Sequence, residues 1–200
     1  MPLPEEDKSL EELKSDLRRM DPRAFVMHRI FDAVPLLFTE PQKWTEWKIR
    51  LADQLEVDAH SVVVIGSGCV GYSLNPGKAF KAYDKESDVD VAVVSGYHFE
   101  VAWRFLRNVK TQLYSLPRPA QNSIKQHRDE FVFLGTIATD KILPYIDPFG
   151  PSWVKSLAAI GKDPPVSGRT LNIRLYRDSY SLVGYHVSGV KKVQGQLLST

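Results

Sequence analysis

Asp88 and Asp90 stand two residues apart in the run Ser87-Asp88-Val89-Asp90-Val91-Ala92-Val93-Val94-Ser95. Read as a β-strand, the run places Val89, Val91 and Val93 on one face and both carboxylates on the other. Two like charges so placed repel each other unless a cation sits between them. Oxygen-only ligands with open positions suit Mg²⁺ or Mn²⁺, which keep part of their water shell and accept phosphate oxygens. Upstream, Gly66-Ser67 closes the β-branched run Val62-Val63-Val64-Ile65. A turn built on a residue without a β-carbon lets backbone N–H groups and a hydroxyl approach phosphate closely.

Together these features describe a metal-dependent phosphate site. Asp88 and Asp90 are its metal-holding and catalytic candidates, and Gly66, Ser67 and Ser87 its candidate phosphate contacts. Lys78, which shares the loop Asn75–Ser87 with Lys81 and Lys85, is a further phosphate-binding candidate. Each feature alone also fits a plain structural role: a solvated strand face, an ordinary turn, a solubilising lysine. Their joint occurrence in this order is what favours a site. Cys69, beside the turn, has no histidine partner in the local sequence and is not read as a nucleophile. His28, His60, His98, His127 and His186 lack metal-ligand spacing and are read as structural or surface residues.

Several elements must position these residues. Ser9-Leu10-Glu11-Glu12 has the form of a capping box and predicts a helix from Ser9 to about Met20. Asp21-Pro22 predicts a second helix ending before Pro35, and Pro41 to about Leu55 a third, with an apolar stripe that includes Trp44 and Trp47. Val62–Ile65 reads as a strand buried on both faces, followed by a brief helix. After the aspartate-bearing strand come a helix from His98 to about Leu113, a polar connection from Arg118-Pro119 with the length for another short helix, and a short helix from Trp153 to Ile160. A strand Thr170–Tyr176 and a helix from Ser179 to about Leu198 complete the chain, with Gly184 and Gly189 weakening the last.

The whole is 200 residues, 43% hydrophobic and 25% charged, which excludes disordered and collagen-like chains and gives one sizeable core. We expect an α/β (α+β) fold, a mixed sheet with helices packed on it and helical decoration at both ends. Residues 1–58 form a helical segment packed on a core of residues 59–200. With 26 Lys+Arg against 24 Asp+Glu, the formal charge of +2 argues against a sequence-independent nucleic-acid coat. One cysteine excludes an intramolecular disulfide and fits a reducing compartment. The opening Met-Pro-Leu-Pro-Glu-Glu-Asp-Lys lacks the apolar core of a secretory signal, and no apolar run reaches membrane-spanning length, so a cytoplasmic chain without membrane partners is expected.

Gly66-Ser67, Gly71-Tyr72-Ser73-Leu74 and Ser87-Asp88-Val89-Asp90-Val91-Ala92-Val93 resemble the hG[GS]…DhDh signature of the DNA polymerase β-like nucleotidyltransferase superfamily. The strict motif spans about thirty residues. A broader likeness, from the helix at Pro41 to the segment Leu171–Lys192, is to small stand-alone bacterial nucleotidyltransferases often associated with defence or toxin–antitoxin loci. The resemblance implies a nucleotidyltransferase-type sheet and two-metal transfer of a nucleoside monophosphate from a nucleoside triphosphate. Asp88 and Asp90 would hold Mg²⁺, and Gly66 and Ser67 would meet the β- and γ-phosphates. It also implies a third carboxylate facing the first two. Strand Thr170–Tyr176 instead presents Asn172 and Arg174, and Asp140, Asp147 and Asp178 lie in other segments.

Arg174 has two readings at this point, as a phosphate contact or as an ion-pair partner of Asp88 or Asp90. The acceptor is open between protein, nucleic acid and nucleotide, and a protein partner from the same locus is a further expectation. Trp44 and Trp47, with Lys43, Lys48 and Arg50 nearby, can stack bases, but tryptophans so spaced more often anchor a helix to its core. A non-catalytic nucleotide- or nucleic-acid-binding regulatory subunit is the alternative function. A glycosyltransferase using Asp-x-Asp for Mn²⁺ is disfavoured by the Gly-Ser turn upstream.

Overall fold

The computed structural model describes residues 5–199, with the side chains of residues 5–7 and 111 excepted. The opening Met-Pro-Leu-Pro of the sequence reading thus lies outside the described residues. The elements in chain order are α1 (Glu5–Arg19), α2 (Pro22–Val26), α3 (Pro41–Leu55), β1 (Val62–Ile65), α4 (Ser67–Val70), β2 (Val89–Val94), α5 (Gly96–Asn108), α6 (Arg118–Asp129), β3 (Thr136–Ala138), α7 (Gly150–Ile160), β4 (Leu171–Tyr176) and α8 (Ser179–Leu198). α2 runs on into a wider turn with i→i+5 hydrogen bonding over Met27–Phe31.

The four strands form one mixed sheet in the order β1-β2-β4-β3. β1 and β2 are antiparallel, β2 and β4 parallel, and β3 and β4 antiparallel. On one face Val62, Val64, Val89, Val91, Val93, Ile137, Ile173 and Leu175 are all buried. α7 closes on this face where Gly161 meets Leu171. It is joined to α3 by the Trp153 Nε1–H bond to Leu55 O (3.1 Å) and to α5 by the stacking of His98 on Trp153. The other face carries Asp90, Asn172, Arg174 and Tyr176 and is approached by α8, whose Tyr185 ring lies over Arg174 and edge-on to Tyr176. α1 packs on α8, with Gln194 donating to Leu17 O and Met20 O. The valine-rich face is the buried one, while the face bearing Asp90, Asn172 and Arg174 alternates with it along β2 and β4.

Several sequence expectations need correction: the helix opened by Asp21-Pro22 leaves α geometry after Val26 and ends at Phe31, and the helix expected to reach Leu113 ends at Asn108 and passes into short turns. Ser9 is not a helix cap, because α1 already runs from Glu5 and the Ser9–Glu12 stretch lies inside it. β3, which the sequence did not reveal, is three residues long, and its conformation comes from pairing with β4.

Asp178 caps α8 by accepting the Ser181 N–H at 2.7 Å. That bond, with help from the Ser181 side chain and Arg177, holds its carboxyl down at about 2. A depressed carboxylate adds stability above its unfolded pKa and loses it as pH falls through the folded one. Asp178→Ala should therefore cost about 1 kcal/mol at pH 7, an ordinary capping value for a half-exposed side chain. Urea unfolding at a series of pH values should show the difference from wild type shrinking between roughly pH 4 and pH 2.

Candidate metal and phosphate site

The site lies at one end of the sheet because β1 runs toward that end while β2 and β4 start from it. The register places Ile65 beside Asp90, and Asp90 beside Asn172. Asp88 immediately precedes β2, and both residues are exposed overall. Gly66 turns the chain out of β1 with φ 68° and ψ −151°, a conformation essentially confined to glycine. A β-carbon there would stand 3.3 Å from Asp90 Oδ2. The turn and the acid meet. Ser67 opens α4, whose first N–H groups have no partner within the helix, and its hydroxyl donates to no other protein group among the described residues.

Asn172 Nδ2 donates to Asp88 Oδ2 at 3.4 Å and to Asp90 Oδ1 at 3.3 Å. Protein atoms crowd the Asp90 carboxyl although the residue as a whole is exposed, and this desolvation raises its pKa. The Asp88 charge pushes the same way, while the Asn172 hydrogen bond and the Arg174 and Lys78 charges oppose it. Lys78 is exposed on the loop between β1 and β2, within electrostatic reach of Asp90.

The Ser87 hydroxyl is engaged within its own loop. It donates to Asp84 Oδ1 at 2.7 Å and accepts from Asp84 N at 3.1 Å, closing the turn before Asp88. Arg169 braces the same turn by donating to Asp84 O and Ser87 O, with its guanidinium over the Tyr83 ring. The Tyr83 hydroxyl is buried without a hydrogen-bond partner, and its pKa is raised by burial first and then by Asp90, Asp84 and Asp88, against Arg169. Tyr83 and Arg169 were not singled out from sequence. The contact between Arg169 and Ser87 spans 82 positions, and no local pattern encodes it.

No third acid joins the pair: among the described residues, no three His, Cys, Asp or Glu side chains are grouped to hold a metal ion. Asp178 caps α8 at the far end of β4. Asp147 is exposed in the turn before α7. Asp140 pairs with Lys141 at 3.7 Å and lines a cavity of about 440 Å³ with Asn172, Arg169 and the α7 residues Val154 and Leu157. A larger cleft of about 560 Å³, lined by Met27, Phe31, Val63, Val94 and Leu182, lies at the opposite end of the sheet.

The donor set near β2 still fits a hard divalent cation. Two carboxylates and the Asn172 carboxamide converge, and rotating that amide would turn its oxygen toward them. The other reactive candidates are inert. Cys69 is buried, bonds to the Arg29 and Ile30 carbonyls, and its thiol is pushed up to about 12 by burial. Trp47 is 1% exposed and stacks with Trp44 and Phe38 in a core cluster, so the pair anchors α3. No helix among the described residues is long and apolar enough to cross a membrane. Comparison of the chain with known protein families, with curated proteins and with solved structures finds no match.

Proposed function

We propose that this protein is a metal-dependent nucleotidyltransferase of the DNA polymerase β-like type, moving a nucleoside monophosphate from a nucleoside triphosphate onto an acceptor. The observation that carries the reading is the fit of Gly66 against Asp90: a glycine-favouring turn at the end of one strand, where a β-carbon would sit tight against the acid of the next. Asp88, Asp90 and the Asn172 carboxamide would hold Mg²⁺ or Mn²⁺. When bound, such an ion supplies charge neutralisation for the phosphate oxygens and a template for in-line displacement.

The chain's own groups do the rest. The Gly66–Ser67 turn offers N–H groups and a free hydroxyl to the phosphate chain, and Lys78 adds positive charge within electrostatic reach of Asp90. Arg169 holds the turn that delivers Asp88. Such a site works by positioning and by fixed charge, with little covalent chemistry for the protein itself.

Asn172 favours a second reading, a nucleotide-binding subunit without turnover. It takes the position beside Asp90 where the resemblance calls for an acid, which leaves the pair one negative charge short for a second cation. Incubating wild type and Asn172→Asp with each α-labelled triphosphate and Mg²⁺ or Mn²⁺ separates the two. Pyrophosphate release by wild type supports the transferase. Metal-dependent binding without release, gained on Asn172→Asp, supports the subunit, and absence of nucleotide binding contradicts both. Asn172→Asp should also lose about 1 kcal/mol of stability in EDTA, where a third carboxylate faces the first two, and regain it with Mg²⁺.

A further inference from the structure

Among the described residues, four arginines are at least partly withdrawn from solvent: Arg29, Arg128, Arg169 and Arg174. Three have conventional partners. Arg29 Nε donates to Asp16 at 2.7 Å, Arg128 grips Leu106 O through Nε and Nη2 at 3.0 and 2.7 Å, and Arg169 donates to Ser87 O at 2.9 Å. Arg174 has none. Its Nη1 is buried without a hydrogen-bond partner, and no carboxylate lies within ion-pairing distance.

The surroundings hold that guanidinium between two rings without a hydrogen-bonded counter-ion, and the Asp90 charge reaches it only through space. Phe131 and Tyr185 lie 5.3 and 5.1 Å from it, ring centroid to guanidinium carbon. Its cross-strand neighbours are Ala92 on β2 and Ala138 on β3, which leave the sheet surface around it low. His127 is neutral in its hydrogen bonding, with Nε2 accepting the Ala138 N–H while Nδ1 faces Ser123 O. His186 is held near 4, by burial first and by the Arg174 charge second. A withdrawn cation with fixed orientation and unused donors is costly for a fold unless an anion completes it.

We propose that Arg174 seats an oxyanion of the ligand, phosphate or carboxylate, and that the acceptor of the proposed transfer therefore carries a negatively charged group. The assignment to the acceptor rests on the nucleotidyltransferase reading; the anion seat does not. β4 lies on the side of β2 away from β1, so Arg174 is across the aspartates from the Gly66–Ser67 turn that would take the triphosphate. Arg174 is two residues along β4 from Asn172 on the same face, about 6.6 Å, so an anion held by it would lie beside the carboxylate pair. Uncharged acceptors would leave Arg174 unpaired and be poor substrates.

The test titrates inorganic phosphate, and separately acetate, into metal-free full-length protein by calorimetry, comparing wild type with Arg174→Met and Arg174→Lys. Wild type should bind at least one anion. Arg174→Met should bind it at least tenfold more weakly, and Arg174→Lys should fall between. Preference for phosphate marks a phosphorylated acceptor, and preference for acetate a carboxylated one. Equal affinity in wild type and both variants, or no binding of either anion by wild type, overturns the proposal. In anion-free buffer the melting temperature of Arg174→Met should hold or rise; a fall with unchanged anion affinity would make Arg174 a packing element and also overturns it. Parallel titration of a non-hydrolysable triphosphate with Mg²⁺ separates the two claims. Its failure beside Arg174-dependent anion binding removes the nucleotide reading alone, and the reverse removes the anion seat alone.

Discussion

Asp90→Ala is expected to reduce pyrophosphate release by at least about a hundredfold while leaving the fold intact. Asp90 is the acid on which the site converges. It neighbours Gly66 through its Oδ2, Asn172 through its Oδ1, and Asp88 on its own strand face. Removing it takes away a metal-holding group and the partner of the glycine turn together. Its cost in stability should be small or negative, because protein atoms crowd this carboxyl and the Asp88 charge repels it. A carboxylic acid whose folded-state pKa is raised costs stability once ionised, and that cost is present above the raised pKa and vanishes below the unfolded one. Asp90→Asn, which keeps the shape and drops the charge, should unfold in urea no earlier than wild type at pH 7. Activity measured alongside the urea midpoint checks both halves, and a variant that loses activity only because it unfolds would refute the assignment.

Gly66→Ala should damage stability and ligand binding at once. At φ 68° and ψ −151° an alanine is strained whatever the space around it, and its β-carbon would press on Asp90 Oδ2 at 3.3 Å. Backbone strain of this kind costs about 1–3 kcal/mol. For a chain of this size that corresponds to a fall of roughly 2–12 °C in melting temperature. Affinity for a non-hydrolysable triphosphate with Mg²⁺ should drop at least about tenfold, since the same change displaces Asp90 and the first turn of α4. Gly184→Ala is the control: nothing lies within 4 Å of a β-carbon there, so helix α8 should be unharmed or slightly firmer. Equal behaviour of the two variants would show that Gly66 is only a turn.

What could be read in the sequence was what short-range pattern controls. The alternation of Val89, Val91 and Val93 with the aspartates and the glycine ending β1 are local signals, and both lie where their pattern places them. α8 was legible despite its glycines. Gly184, Gly189 and Gly195 face open space, and packing of α1 and α2 on α8 outweighs their poor helix propensity. β3 was not legible, because Thr136–Ala138 is too short to show a period and is defined by its partner strand.

Among the acids, Asp178 has the side-chain type of both a metal ligand and a helix cap, and only the chain direction of β4 shows that it caps. Arg174 shows the same boundary from the other side. Its place on the polar face of β4 follows from alternation, but its lack of a partner depends on Phe131, Tyr185, Ala92 and Ala138, which come from four other elements of the chain.

The most direct measurement of the central claim is a crystal structure of the protein with a non-hydrolysable nucleoside triphosphate and Mg²⁺. The account predicts a cation held by Asp88 and Asp90, the Asn172 carboxamide turned oxygen-inward, and the phosphate chain against Gly66 and Ser67. Nucleotide bound away from this end of the sheet, or an Asp88–Asp90 pair that takes no cation at saturating Mg²⁺, would contradict it.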